Sequence, residues 1–582
     1  MTGSRRSART LGATGTLRTA ALVVAVALAA TTVLAACSSG PAPAPGPGTE
    51  SAAPLSPTGW RSVDRDQVRD GGTLTLAVDA LPVTYVLNTP DSGTVDDQRL
   101  SGLYLPSFVQ IAADGSAHAD PDYVTSLAVT SNDPLVVELT INPAATWSDG
   151  TPITYLDVAS TWAAFRGTDP DYAVQSTAVW EDVSAVERGT DDRQVVLRFA
   201  TPNADWPAAL TAIYPSWVTD TPEHFATAWA AGPFAADGTT FVSGGPFVVT
   251  RIDADAQVIT LGRNPRWWGD VARLDTVVFR TVSRTSLGQA FANREIDAVD
   301  VHSDPDVLAA ASARDDAVVQ RADGSVIRQL TLNGTAGPLA NLEVRRAFAT
   351  ALNRSVLAQA VVGSGTPVST LGSLLFVPGQ AGYVDHLADV LTGSADDARA
   401  ILTAAGCTFG DDGVGVCDGE RLHVRFVVPA ETPASSNIAQ LVRQQEAPAG
   451  FDVEIVTVPA DDFFTQNLTV ESRDFDVTYF GWVASAFPIA ATRAMFYPAD
   501  SAQNLSGVSD ASLGTLWDQA DAELDPQARL ETATRIDAGV TALFATVPLF
   551  VEPSTWGVRA DLANYGPALF EQVRWQDVGY TS

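Results

Sequence analysis

From Leu135 onward, Val137, Leu139 and Ile141 alternate with polar or small neighbours, the period of a strand with one buried face. Ser148-Asp149-Gly150-Thr151-Pro152 follows as a turn cluster. Thr154 stands three residues ahead of Asp157, so each side chain can accept from a backbone amide left free at a helix start. Val158, Trp162 and Phe165 then continue at helical spacing. The pattern predicts strand, tight turn and a helix from Tyr155. The same reading places strands at 72–78, 194–199, 258–261, 328–333, 475–482 and 548–552. It places helices at 100–108, 344–354 and 396–405, the last closed by Gly406.

The front of the chain is different. Arg5, Arg6, Arg9 and Arg18 precede an apolar run from 20 to 30, and Leu34-Ala35-Ala36-Cys37 closes it, so residues 1–36 read as a targeting segment. The closing tetrapeptide resembles a bacterial lipobox, which implies lipidation of Cys37, cleavage before it and a place on the outer face of the cell membrane. The other reading is an uncleaved anchor, since 19–36 approaches the ~20 residues that span a bilayer; a cysteine directly after Leu-Ala-Ala fits the lipobox better. Residues 37–69 begin with Pro, Ala, Gly and Ser and read as a flexible tether.

At 582 residues the chain is too long for one core, so two or three domains are expected. It carries 68 acidic and 35 basic side chains, a net charge of −33, and every basic one is arginine. A lysine-free chain has no P-loop lysine, Schiff base or Ser-x-x-Lys acylation site. With no basic stripe to neutralise phosphates, nucleic acid is excluded as a partner. His118, His224, His302, His386 and His423 are scattered, and neither Gly-x-Ser-x-Gly nor His-Glu-x-x-His occurs, so nothing supports an exported hydrolase. Asp91-Ser92-Gly93-Thr94 matches the aspartic-protease tetrapeptide, but that chemistry needs two carboxylates sharing a proton and the chain has one copy; it reads as a turn. Cys407 and Cys417 flank Gly410-Asp411-Asp412-Gly413. In an exported protein such a pair reads as a disulfide, while a metal site would have only His423 nearby.

Several strings fall in order along the body: Trp147-Ser148-Asp149-Gly150-x-Pro152-Ile153-Thr154-x-x-Asp157-Val158, Ser243-Gly244-Gly245-Pro246-Phe247, Asn264-Pro265-Arg266-Trp267-Trp268-Gly269, Val344-Arg345-Arg346-Ala347-Phe348, Phe475-Asp476-Val477-x-Tyr479-Phe480-Gly481-Trp482 and Asn504-Leu505-Ser506-Gly507. Together they resemble the extracytoplasmic solute-binding proteins of family 5, the peptide- and nickel-type receptors of ABC importers. The resemblance implies an α/β clamshell of the periplasmic-binding-protein-like II type, with two lobes joined by two hinge strands and an extra subdomain in the first. Lobe I would comprise 70–88, 199–332 and 548–582, the extra subdomain 89–198, and lobe II 333–547. It implies a monomeric binding protein with no catalysis, cofactor or metal, whose partners are a small solute, permease subunits and, through its acyl chains, the membrane. Expected ligand contacts are Trp482, Ser485, Phe480, Asn88 and Tyr85, with residues 330–333 as a hinge strand. Where peptide-binding members carry an aspartate for the ligand's amine this chain has Ser485, which argues against ordinary free-amine peptides. An alternative within the family is a lipoprotein of cell-envelope glycolipid metabolism, of which Leu105-Pro106-Ser107-Phe108 is reminiscent.

Overall fold

Two strands much longer than the sequence pattern predicts run through the middle of the molecule. The computed structural model describes residues 55–363, 366–430 and 432–582; the targeting segment and Cys37 lie outside them. Ala317–Leu332 and Thr546–Arg559 pair antiparallel at the centre of a ten-stranded sheet. On one flank stand Val477–Val483, His423–Pro429 and Asp452–Val458. On the other stand Ala298–Asp300, Thr73–Val78, Thr276–Thr281, Val258–Arg263 and Phe247–Asp253.

Each long strand serves more than one core. Val547, Leu549 and Phe550 pack with Leu330, Leu332, Phe348 and Phe426, whereas Trp556 and Val558, further along the same strand, pack with Leu74, Leu76, Phe247 and Phe279. Burial of apolar area on both sides of a bare crossing makes a clamshell of two α/β lobes. Between the cores the pairing register shifts from Ala322 to Val326. Gly324 lies in that bulge, where a Cβ would stand 1.7 Å from the Glu552 carbonyl oxygen, so a larger residue would push the strands apart. The crossing therefore lies upstream of 330–333, because Leu330 and Leu332 are already fully inside the second core.

The predicted strand, turn and helix are present. Leu135–Ile141 sits in a four-stranded antiparallel sheet with Val124–Asn132, Gln194–Phe199 and Val183–Arg188, within the stretch expected as the extra subdomain. Thr154 caps Tyr155–Phe165, and the Asp157 carboxylate accepts the Thr154 amide at 2.7 Å and the Ser216 amide at 2.8 Å. Cys407 and Cys417 form a disulfide on the second core.

Three expectations need correction. The helix placed at 100–108 is Val95–Ser101 instead, because Thr94 and Asp97 make a capping box that starts it earlier. The helix placed at 344–354 is two, Leu342–Ala351 and Arg354–Val362, since the Asn353 side chain accepts the Val356 amide at 3.1 Å and caps a fresh start. Residues 55–69, counted with the tether, are bound to the C-terminal segment. Thr58 bridges Ala568, the Gly59 amide donates to the Pro567 carbonyl at 3.0 Å, and Arg65 pairs with Asp577 at 2.7 Å.

Candidate functional site

Where the long strands slip register, a cleft of about 1320 Å³ opens between the two cores. Its floor is built from Gly324–Val326, Arg328, Glu552–Ser554 and Trp556 on the crossing strands. One wall comes from the start of the helix at Val95 and the loop before it. The opposite wall is the loop Val483–Phe487 that follows a strand of the second lobe. The volume exceeds the roughly 300–1,000 Å³ of common small-molecule pockets and suits an extended ligand.

Carboxylates outnumber guanidinium groups in the lining, yet nearly all are occupied. Glu552 holds Arg328 at 2.7 Å and accepts the Ser303 hydroxyl. Asp79 holds Arg284 at 2.8 Å, and Asp122 accepts from Arg574 at 3.1 Å and Gln576 at 2.8 Å. Asp97 belongs to its helix cap, Asp96 pairs with Arg99 at 3.1 Å, and Glu571 accepts the Thr58 hydroxyl. Asp120 accepts from Gln110 at 3.1 Å, and burial pushes its carboxyl up to about 6. Asp300 accepts the His302 amide at 3.0 Å, and burial raises its carboxyl above the ordinary value. Asp91, exposed at the rim, is the exception among them. His302 and Ser303 both adopt left-handed backbone, with φ of 47° and 58°, a costly conformation that directs the Ser303 hydroxyl onto Glu552.

The five expected contact residues are not brought together. Ser485 lines the cleft, but its hydroxyl accepts the Phe487 amide at 3.0 Å and its carbonyl accepts Gln380 at 2.9 Å. Phe480 and Trp482 share one face of their strand and pack into an apolar cluster with Phe463, Leu468 and Phe475, outside the lining. Side chains alternate along a strand, and it is Val483, 63% exposed, that faces the cleft. Asn88, at φ 62°, spends its side-chain amide on the Ser176 backbone, and Tyr85 is buried in the first core. Leu87 between them reaches the cleft. Trp268 packs edge-on against Tyr123 and donates to the Asp122 carbonyl at 2.6 Å, while Trp267 lines the cleft.

The sequence places the loop running to Arg99 near the cleft, and Arg99 lines it; residues that sequence reasoning missed are Asp300, Arg328, Glu552, Trp556 and Tyr565, drawn from segments up to several hundred positions apart. The lobes also touch beyond the crossing strands. Arg529 reaches Asp205 at 2.8 Å, the Ala204 amide donates to the Asp521 carbonyl at 2.8 Å, and Gly115 lies against Ala486.

Comparisons with known proteins agree with this architecture. The family model for bacterial extracellular solute-binding proteins, family 5 Middle, matches residues 118–504. The oligopeptide-binding protein OppA of Mycobacterium tuberculosis is 32% identical over 522 residues, covering 89% of this chain and 86% of its own. The probable monoacyl phosphatidylinositol tetramannoside-binding protein LpqW of Mycobacterium tuberculosis is 26% identical over 471 residues, covering 75% of this chain and 71% of its own. Among solved structures, the periplasmic EDTA-binding protein EppA superposes with a TM-score of 0.79 at 22% identity, over 91% of this chain and 99% of that one. The oligopeptide-binding protein AppA from Bacillus subtilis, in complex with a nonapeptide, gives a TM-score of 0.68 at 17% identity, over 88% of this chain and all of that one. The chain belongs to family 5 of the bacterial extracellular solute-binding proteins.

Proposed function

We propose that this protein is the lipid-anchored receptor of an ABC importer and captures a peptide-like solute in the cleft. The observation that carries the reading is a cavity of about 1320 Å³ lined on one side by first-core residues such as Leu76, Val78 and Leu105 and on the other by the loop Val483–Phe487 that follows a strand of the second lobe. A ligand there touches both lobes only when they are shut, so its differential affinity shifts the population towards a closed form that a permease can distinguish. We assign 70–88, 199–332 and 548–582 to lobe I, 89–198 to its extra subdomain and 333–547 to lobe II, except that Leu330, Leu332, Leu549 and Phe550, at the ends of the crossing strands, pack into lobe II. Lipidation at Cys37 holds the protein at the membrane's outer face. Membership in a family of binding proteins and the 32% identity to a protein named for oligopeptides support the solute class.

Ser485 supplies no charge for a ligand amine, and the cleft carboxylates other than the exposed Asp91 are engaged by the protein. A charged hydrogen bond contributes ~1.5–3 kcal/mol, so free-amine dipeptides lose about one to two decades of affinity here. A thermal-shift screen over dipeptides, longer peptides, opines, sugars and glycolipid headgroups tests the reading. A ligand at a hundred times its Kd stabilises by about 2.7 kcal/mol. Longer peptides are expected to shift the transition and free-amine dipeptides to shift it little. A shift confined to glycolipid headgroups would replace the reading with a role in envelope glycolipid metabolism, the alternative favoured by the LpqW likeness. Neighbouring genes give a second check, with permease and ATPase genes supporting import.

A further inference from the structure

At one end of the cleft floor the unengaged polar groups are donors. Trp556 is 8% exposed and Tyr565 2%, and both line the cleft. Neither the Trp556 Nε1–H nor the Tyr565 hydroxyl has a hydrogen-bond partner among the described residues. Their rings meet edge to face at 5.7 Å, and the Arg99 guanidinium carbon lies 5.1 Å from the Trp556 ring centroid. Arg99 gives one hydrogen bond to the protein, to Asp96, and its other N–H groups have no acceptor among the described residues. Tyr565 faces the same cluster, since Arg99, Asp96 and Asp300 are the charges that act on its hydroxyl. Burying a donor without a partner is costly, so a fold that keeps two at a binding cleft gains when a ligand supplies the acceptor.

Charge decides which acceptor. Asp96 already offsets Arg99, and Asp300 stands beside them, so a ligand carboxylate would enter among like charges. A neutral carbonyl oxygen, with its two lone pairs, can accept from two of these donors without that repulsion. We infer that Arg99, Trp556 and Tyr565 form a subsite for an uncharged main-chain carbonyl of the ligand. Chain ends are then not required for recognition, and peptides blocked at both termini are bound. This inference rests on the peptide-like solute proposed above.

The test uses the full chain in detergent and two pools of random pentapeptides, one N-acetylated and C-amidated, the other with free ends. Retention on the protein and competition binding are measured. The blocked pool is expected to bind, and Tyr565→Phe, which removes only an unpartnered hydroxyl, to weaken that binding about tenfold. Trp556→Phe should act in the same direction, and the ligand-free transition temperature checks that both variants fold. Blocked peptides binding Tyr565→Phe as tightly as the parent would overturn the subsite. Binding of the free-ended pool alone would also overturn it, while leaving the peptide reading intact. Retention of neither pool would remove the peptide reading and the subsite with it.

Discussion

His386 and Asp537 make a buried pair at 3.2 Å, and Asp537 also accepts the amides of Leu374 and Leu375 at 2.8 and 3.2 Å. The Asp537 carboxylate beside it raises the imidazole above its ordinary 6.5. A group whose pKa rises on folding stabilises the fold fully below its unfolded value and loses that contribution as pH climbs through the folded one. Stability should therefore fall as pH rises from about 6.5 through the raised value. His386→Asn should flatten that slope in urea melts taken at a series of pH values. At Gly324 the expectation is steric. Gly324→Ala places a methyl against the Glu552 carbonyl, so the floor is displaced and ligand-induced stabilisation is lost, read by the same thermal shift.

Thr154 and Asp157 announce their helix because the relation is local, needing four residues and no tertiary context. The same chemistry at Thr94 and Asp97 was hidden behind an apolar-looking run from Leu100, and the helix was placed too late. The long strands are legible only over their apolar halves, since the polar stretch from Asp323 to Ser325 is a bulge between paired segments and carries no side-chain period. The disulfide was legible from spacing and compartment. Closing a loop between positions ten apart, it should contribute about 2–3 kcal/mol, so Cys407→Ser with Cys417→Ser should lower the unfolding free energy read from urea melts by that amount. Nothing in the string links Arg99 to Trp556 or Tyr565. Their meeting depends on Ala298–Asp300 pairing with Thr546–Arg559, a contact across some 250 residues that no local pattern encodes.

Across the whole molecule the two lobes are held by more than the crossing strands. Asp205 is almost fully buried and faces Arg529 across the interface. Removing the cation strands a buried carboxylate, which costs about 3 kcal/mol or more, whereas replacing both partners by apolar residues costs far less. Arg529→Met should accordingly favour the open form, seen as a larger radius of gyration by small-angle scattering and weaker ligand capture. Asp205→Leu with Arg529→Met should largely restore the parent dimensions. The described residues contain no helix long and apolar enough to cross a membrane, so anchoring must be tested at the front of the chain. Cys37→Ser should move the protein from the membrane fraction to the soluble one.

The first core draws Trp575, Val578 and Tyr580 from the far end of the polypeptide and packs them against Leu74 and its neighbours, while Val68 bridges Thr581. A secretion channel that threads the chain from its leading end must release nearly all of it before that lobe can close. The second lobe, assembled largely from one uninterrupted stretch, is free to mature sooner. Export thus delivers the half synthesised first as the half finished last, with its apolar interior open to chaperones and proteases until Trp575, Val578 and Tyr580 arrive.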